Sequence, residues 1–166
     1  MWMGKPKSRK VLICGDRHWS DYSLIFDVIS NLHSMFDESM IIIHGAAPGA
    51  DTIAAKVADD LGILTKSFPA YWNCNVYEKD TGNQCKTDDK HAVVHGRPAG
   101  VIRNARMIKE GNPDIVLGFH RDIMSSKGTR DMLQKAEVRK IRNALITEWA
   151  DFIKFLNFWN NRDLPI

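Results

Sequence analysis

The chain has 166 residues, which is enough for one domain with a sizeable core. Its hydrophobic fraction of 44% and charged fraction of 26% are those of an ordinary globular domain, and every apolar run is far shorter than the ~20 residues of a membrane span. The formal net charge of +3 permits an anionic ligand but falls well short of that of a dedicated nucleic-acid-binding protein.

The N-terminal segment and the cysteines indicate the compartment. Residues 1–10 are basic, but the apolar segment behind them covers only residues 11–14, which is too short for a signal peptide. Three cysteines, an odd number in a chain without an export signal, predict free thiols in a reducing compartment. We therefore expect a cytoplasmic protein with no membrane partner.

The first half of the chain alternates between strand and helix patterns. Short apolar, β-branched runs predict buried strands, and apolar positions three and four residues apart predict helices with one buried face. These patterns give strands at residues 11–14, 40–43 and 63–68, and helices at residues 22–36 and 52–61. Ser20 or Asp21 can cap the first helix, and Gly62 ends the second.

The alternation continues with helices at residues 98–110, 128–141 and 149–159 and a strand at residues 114–119. Residues 144–147 form either a short fifth strand or an extension of the helix before them. The pattern predicts an α/β fold of the Rossmann-like type, a three-layer α/β/α arrangement with a parallel sheet of about five strands. We expect a single domain over residues 1–166, interrupted at about residues 74–94 by an insert that is long for a loop and is therefore functional or mobile.

Residues 44–51 (HGAAPGAD) follow the second strand and open the second helix. When a strand is followed by a glycine turn and then by the first turn of a helix, free backbone N–H groups and the positive end of the helix point toward the same place. An anion can bind there. Gly45, Ala46 and Gly49 are therefore predicted to form a phosphate-binding loop, because glycines let a phosphate approach the backbone. Asp51 is either the cap of the helix or a ligand contact. The pattern favours a phosphate-bearing small molecule as the ligand.

Further polar motifs meet the same edge of the predicted sheet, because ligands of parallel sheets bind beyond the carboxyl ends of the strands. After the first strand, Arg17 is placed to fork two hydrogen bonds onto a phosphate, whereas Trp19 more simply packs on the next helix. After the fourth strand, a second glycine turn offers Lys127, Gly128 and Thr129 as donors to a phosphate.

Two arginines and one aspartate near these turns have alternative interpretations. Arg103 and Arg106 lie on one face of a helix whose start is directed at the same edge, although helix arginines are usually solvated. Asp131 either binds ribose hydroxyls, acts as a general base, or simply stabilises the start of its helix. Because a side chain in either glycine turn would fill the path of the phosphate, we expect Gly49→Val and Gly128→Val to abolish binding without unfolding the protein.

Four segments of the chain carry a resemblance to a known family: residues 14–19 (CGDRHW), 44–51 (HGAAPGAD), 99–107 (AGVIRNARM) and 127–132 (KGTRDM). In this order they resemble the signature of the YspA-like (cpYpsA-related) branch of the SLOG superfamily, which also includes the LONELY GUY phosphoribohydrolases and DNA-processing protein A. The similarity covers roughly residues 9–148. The resemblance implies a Rossmann-like fold that binds a nucleotide or a nucleotide-derived ligand.

The resemblance completes the predicted site. It raises Arg103 and Asn104 to site residues, and its first segment includes Gly15. The predicted ligand-binding set is then Gly15, Arg17, Gly45, Ala46, Gly49, Asp51, Arg103, Asn104, Lys127, Gly128 and Thr129. We expect a sensor or sequestering protein that binds a nucleotide-like or ADP-ribose-like molecule and uses no separate cofactor.

Whether the ligand is cleaved depends on a carboxylate. The related phosphoribohydrolases carry Pro-Gly-Gly-x-Gly-Thr-x-x-Glu with a catalytic glutamate, but here that position holds Met132 and Asp131 precedes it. We therefore expect cleavage to be absent or slow, because acid or carboxylate help at a fixed position is worth ~10²–10⁴-fold. The alternative is an N-glycosidic hydrolase with Asp131 and Arg103 as catalytic residues. A second alternative is a DNA-binding module, which the mild net charge disfavours.

The insert contains a candidate zinc set. His91 and His95 have the His-x3-His spacing of a zinc site, and Cys74 and Cys85 would complete a tetrahedral set. The cysteine spacing is wider than in a zinc ribbon, and His95 also matches a His-Gly that precedes the third helix in the family. A structural metal is therefore the less favoured interpretation.

The C-terminal helix carries more aromatic side chains than one face can hold. Five of them cannot all lie on a single stripe at 3.6 residues per turn, so some must point away from the sheet. They are Trp149, Phe152, Phe155, Phe158 and Trp159. Because exposed aromatic clusters are uncommon on monomers, we predict a homo-oligomer, most simply a two-fold dimer.

Overall fold

The computed structural model describes residues 7–36, 39–70 and 99–160. In these ranges the strands are β1 (Arg9–Gly15), β2 (Met40–His44), β3 (Leu64–Ser67), β4 (Ile115–Phe119) and β5 (Arg142–Ile146). The helices are α1 (Tyr22–Met35), α2 (Ala50–Asp60), α3 (Ala99–Gly111), α4 (Lys127–Val138) and α5 (Trp149–Asn160), with a short 3-10 helix at Ile123–Ser125. The insert at residues 74–94 lies outside the described residues, so the single-domain interpretation stays a prediction.

The strands form one parallel sheet in the order β3-β2-β1-β4-β5, which confirms the predicted Rossmann-like three-layer fold. Alternation along the central strand assigns its side chains to two cores. Val11 and Ile13 pack in the cluster that includes α1, α2 and α5, whereas Leu12 and Cys14 pack in the cluster that includes α3 and α4. The strand is buried on both faces, as expected for a parallel sheet covered by helices.

The strand order places a crevice next to β1. The chain runs from β1 outward to β3 and then crosses back to β4 on the other side of β1. The connecting helices therefore cover opposite faces of the sheet, and the gap beyond the carboxyl ends of β1 and β4 is the expected ligand position in such a sheet. At this point the backbone N–H of Asp16 donates to the Phe119 carbonyl over 2.8 Å.

The edge strand β3 differs from the other strands. All of its residues are exposed, and Leu64 has 72% of its surface accessible. It pairs with β2 from Ile41↔Leu64 to His44↔Ser67, so its contribution to the sheet comes from the backbone.

The predicted boundary between α4 and β5 is displaced. The helix ends at Val138 instead of 141, and β5 begins at Arg142 instead of 144. The Lys140 N–H donates to the Glu137 carbonyl over 2.9 Å and the Ile141 N–H to the Ala136 carbonyl over 2.9 Å. This turn ends the helix with Lys140 at φ 56°, where glycine is the usual residue, so the sequence carries no stop signal.

The aromatic residues of α5 divide between the core and the surface. Phe152, Phe155 and Trp159 are buried, whereas Trp149 and Phe158 are exposed. The two exposed rings lie nine residues apart, on opposite flanks of the helix, so they do not form one patch. Self-association therefore stays a prediction. Within the described ranges, no helix has the length and apolarity needed to cross a membrane.

We expect Phe152→Ala to lower the free energy of unfolding by about 3–5 kcal/mol, because it empties a fully buried site in the core. Phe158→Ala is the matched control on the same helix, since 60% of Phe158 is exposed, and should cost less than about 1 kcal/mol. Chemical denaturation of the two variants measures both values. Equal losses would contradict the described packing of α5.

Candidate functional site

A cavity of about 530 Å³ opens at the carboxyl ends of β1 and β4. Its walls come from the ends of these strands, the first turns of α3 and the start of α4. The cavity brings together a large part of the predicted set, namely Gly15, Arg17, Asp51, Arg103, Asn104, Lys127, Gly128 and Thr129. Of the loop after β2, only Ala47 is among the described lining residues, while Gly45, Ala46 and Gly49 lie outside them.

Asp51 organises the loop after β2. It is the second residue of α2, and the helix cap is Gly49, which has no side chain to cap with. The Asp51 carboxylate is buried and accepts the N–H of Gly45 over 2.7 Å and that of Ala47 over 3.4 Å. The Ala46 N–H donates to Nδ1 of His44 over 3.1 Å. The N–H groups of residues 45–47, at the start of the predicted phosphate loop, are thus bound within the protein, because a buried carboxylate and an imidazole accept them.

Arg103 and Asn104 connect three elements. Nη1 of Arg103 donates to the Gly45 carbonyl over 2.6 Å, and its Nε donates to Oδ1 of Asn104 over 3.1 Å. The Asn104 amide in turn donates to the Gly128 carbonyl over 3.1 Å and to Asp131 over 2.9 Å. The start of α3 therefore holds the loop after β2 against the start of α4. We call this set of bonds the α3 clamp.

Asp131 belongs to the α3 clamp and is not among the described residues that line the cavity. Besides Asn104, its carboxylate pairs with the Lys135 ammonium one turn along α4. These partners give Asp131 a role in joining α3 to α4.

The first turn of α4 is the part of the site that is open to a ligand. Ser126 caps the helix and accepts the Thr129 N–H over 3.0 Å. Lys127 and Gly128 lie between Ser126 and Thr129 in the first turn of the helix. Both are exposed and line the cavity. Because N–H groups in the first turn of a helix have no partner within the helix, this end attracts anions. A Cβ added to Gly128 would meet no atom within 4 Å, so the cavity is open at this point.

The charged side chains of the cavity are of both signs. The cations Arg17, Arg103 and Lys127 line it together with Asp16 and Asp51. Burial raises the pKa of the Asp51 carboxyl to about 6, and the positive charge of Arg103 opposes this rise. The cations and the helix end outweigh the two carboxylates, so the cavity favours a negatively charged group.

His120 and Cys14 line the cavity but were not singled out from the sequence. His120 is buried directly after β4, and its Nδ1 accepts the Asp122 N–H over 3.0 Å, the arrangement that His44 has after β2. A histidine directly behind a buried strand was the signal available in the sequence. Cys14 forms part of the floor, and burial raises the pKa of its thiol, which therefore stays un-ionised and unreactive.

Two glycines of the loop after β2 are required by packing. Gly49 has φ +79°, and a Cβ there would overlap the Asp16 carbonyl and lie 2.5 Å from the carbonyl carbon of Arg17. A Cβ on Gly45 would lie 2.5 Å from the guanidinium carbon of Arg103. The expectation that Gly49→Val spares the fold is therefore wrong, because the loops after β1 and β2 touch at this residue.

The candidate zinc ligands Cys74, Cys85, His91 and His95 lie outside the described residues. Within residues 7–36, 39–70 and 99–160, no group of three or more histidine, cysteine or acidic side chains is placed to hold a metal ion.

Comparisons of sequence relate this chain to a family and to a phage protein. The family model described as "YspA, cpYpsA-related SLOG family" matches residues 9–74. The Gene 61 protein of Mycobacterium phage D29 is 31% identical over 132 residues, which cover 78% of this chain and 89% of that protein.

Two solved structures are similar in fold. DNA processing protein A from Streptococcus pneumoniae has a TM-score of 0.58 and 19% identity, over 93% of this chain and 57% of that one. The Moco carrier protein from Chlamydomonas reinhardtii has a TM-score of 0.51 and 12% identity, over 94% of this chain and 86% of that one. This chain thus spans little more than half of the S. pneumoniae protein. At these identities the similarity shows the fold alone.

We expect Gly49→Ala to destabilise the protein by several kcal/mol, because it combines a positive φ with overlap of a neighbouring carbonyl group. Gly62→Ala is the matched control. Gly62 has φ +68°, and no atom lies within 4 Å of a Cβ added there. The substitution should therefore lower the free energy of unfolding by only about 1 kcal/mol. Thermal and chemical unfolding of both variants measures the difference. A Gly49→Ala protein as stable as Gly62→Ala would show that the two loops are not in contact.

Asp51 should make stability depend on pH. Its pKa is 3.8 in the unfolded chain and about 6 in the native protein, so the native state binds more protons between these values. The contribution of the protonated Asp51 carboxyl to the free energy of unfolding is complete below pH about 4. It is lost as the pH rises through about 6, which lowers the free energy of unfolding by up to about 3 kcal/mol. Asp51→Asn should remove this component from the unfolding profile, whereas Asp59→Asn, an exposed carboxylate of the same helix, should retain it. Parallel profiles for Asp51→Asn and the wild type would contradict this account.

Proposed function

This chain belongs to the YspA, cpYpsA-related SLOG family, and we propose that its cavity binds the phosphate of a nucleotide or nucleotide-derived ligand. The observation that carries the proposal is the convergence of Arg17, Arg103, Lys127 and the start of α4 on one open cavity. The proposal describes a protein that binds its ligand as a sensor or a sequestering protein.

The phosphate lies at the first turn of α4 in this proposal. Lys127 supplies a charge there, and the N–H groups of the turn supply donors along the direction of the helix dipole. The open space beside Gly128 supports this position, since a phosphate oxygen can approach the backbone where no Cβ intervenes. The loop after β2 supplies a wall, because the N–H groups of its residues 45–47 are already bonded.

The remainder of the ligand occupies the space between β1 and α3. A volume of about 530 Å³ exceeds the needs of a phosphate alone and lies within the range of cavities that hold nucleotide-sized molecules. Val101 and Met107 contribute apolar surface from α3, and Asp16 and His120 contribute polar groups from the strand ends. This mixture suits a base and a ribose attached to the phosphate.

The partners of Asp131 argue against the hydrolase as the first choice. A general base needs a carboxylate that reaches the substrate, but the Asp131 carboxylate is engaged by Asn104 and Lys135 outside the cavity. A DNA-binding role also remains the weaker interpretation. The similarity to DNA processing protein A is one of fold, and the net charge is only +3.

We expect AMP and ADP-ribose to raise the melting temperature of the protein, and adenosine, which has no phosphate, to raise it far less. Gly128→Val should reduce the apparent affinity at least about tenfold, because its side chain occupies the open space beside the helix end. Gln134→Val is the matched control, since it adds the same side chain to an exposed position of the same helix. Thermal-shift titration measures all three proteins.

Equal stabilisation by adenosine and AMP would contradict the phosphate site, as would full retention of affinity in Gly128→Val. Chromatography of the ligand after incubation distinguishes binding from cleavage. Release of free base at an enzymatic rate, lost in Asp131→Ala, would replace the proposed binding protein by a hydrolase.

A further inference from the structure

A second cavity, of about 290 Å³, lies at the opposite edge of the sheet, where β1, β4 and β5 begin. Its walls include Arg9 at the start of β1, Asp114 before β4, Arg142 at the start of β5, Lys140 in the turn after α4, and Trp159 near the end of α5. We propose that this cavity binds a phosphate group. It shares no described lining residue with the cavity at the carboxyl edge, so the proposal does not depend on the proposed function.

The lining of this cavity is predominantly positively charged. Three cations, Arg9, Lys140 and Arg142, line the cavity with one described acidic residue, Asp114. The Asp114 carboxylate already accepts the backbone N–H of Lys10 over 2.8 Å. Cations brought together in this way repel one another unless an anion lies between them.

Both arginines of the cavity lie over aromatic rings. The Arg142 guanidinium lies 4.5 Å from the ring centroid of Trp159, and that of Arg9 lies 5.9 Å from the ring centroid of Phe36. The centroids of the two rings are 5.9 Å apart, so the rings form one continuous aromatic surface beneath both guanidinium groups. A guanidinium on an aromatic face keeps its N–H edge available, and its planar fork matches two oxygens of a phosphate.

The indole N–H of Trp159 is a buried donor beside this cavity. Trp159 is 5% exposed, and among the described residues its solvent-inaccessible Nε1 has no hydrogen-bond partner. Buried polar groups are normally paired, so such a donor indicates a missing partner. The Trp159 ring lines the adjoining cavity, and we assign an anion bound there as the acceptor that the N–H reaches when the ring turns toward the cavity.

The backbone of Lys140 has an unusual conformation. It ends α4 at φ 56°, in the position of the helix-ending turn that glycine normally occupies. A lysine there costs stability that glycine would not, and strain of this kind concentrates at functional positions. Lys140 occupies this strained position, and its side chain is one of the three cations that line the cavity.

These donors fit a phosphate better than a carboxylate. Two guanidinium groups and one ammonium line different walls of the cavity, and a carboxylate has only two oxygens to accept their N–H groups. A phosphate group has more oxygens and more negative charge. It can belong to a small phosphorylated molecule or to the backbone of a nucleic acid, and the two sources share the chemistry that this cavity recognises.

The Trp159 indole N–H is a local reporter for the test. The chain has five tryptophans, and Trp159→Phe identifies the Trp159 signal in a proton–nitrogen NMR spectrum of the full chain. We expect inorganic phosphate, added at constant ionic strength, to shift this signal downfield in a saturable way. A phosphate held only at the carboxyl edge would leave it unchanged.

Lys140→Gly separates binding from folding. The substitution relieves the backbone strain, so the variant should melt at the same temperature as the wild type or higher. It should nevertheless bind phosphate at least about tenfold more weakly, the effect of one lost charge-assisted hydrogen bond. Arg139→Gln is the matched control, because it removes the adjacent cation, which lines a groove on the α3 and α4 side instead.

A second titration uses a short single-stranded oligonucleotide without terminal phosphates. A tighter, salt-dependent shift of the Trp159 signal than phosphate produces would assign the site to a nucleic-acid backbone, and a weaker one to a small phosphorylated molecule. Both results support the phosphate site. A Trp159 signal that stays in place with both ligands, or that responds equally in Lys140→Gly and the wild type, would overturn it.

Discussion

The hydrogen bond from Arg103 to the Gly45 carbonyl determines how the carboxyl edge of this protein is built. It draws the loop after β2 toward α3, and Asn104 continues the connection to the start of α4. Asp51 holds the same loop from the other side through the Gly45 N–H. The loop is thus fixed on both its donor and its acceptor groups, and the cavity beside it has a rigid wall without any ligand present.

Two glycine turns that look alike in sequence therefore have different roles in the structure. The glycines of the turn after β2 contact neighbouring loops and side chains, and the N–H groups of residues 45–47 are bound by Asp51 and His44. The turn at Gly128 has no such neighbours and faces open space. A strand–glycine–helix pattern therefore identifies the edge of the sheet at which a ligand can bind. Whether the N–H groups of the turn are free to bind it depends on side chains that are distant in sequence.

The parts that could be predicted from the sequence are those that follow from periodicity. Apolar runs identified the strands, and their alternation with helices determined the parallel sheet and the edge at which the cavity lies. The α4–β5 boundary escaped prediction because Lys140 adopts a conformation that is normally assigned to glycine. The partners of Asp131 could not be inferred either, since they depend on how α3 and α4 meet.

The exposure of β3 has a consequence for how the sheet opens. Its side chains contribute little buried surface, so its attachment to β2 depends on backbone hydrogen bonds at an edge that water can reach. Local opening is cheapest where few apolar contacts must be broken. Amide hydrogens should therefore exchange first along Leu64–Ser67 and last in β1 and β4, whose neighbours cover both faces. The sheet should therefore open first at β3, and solvent should reach the backbone of β2 from that edge.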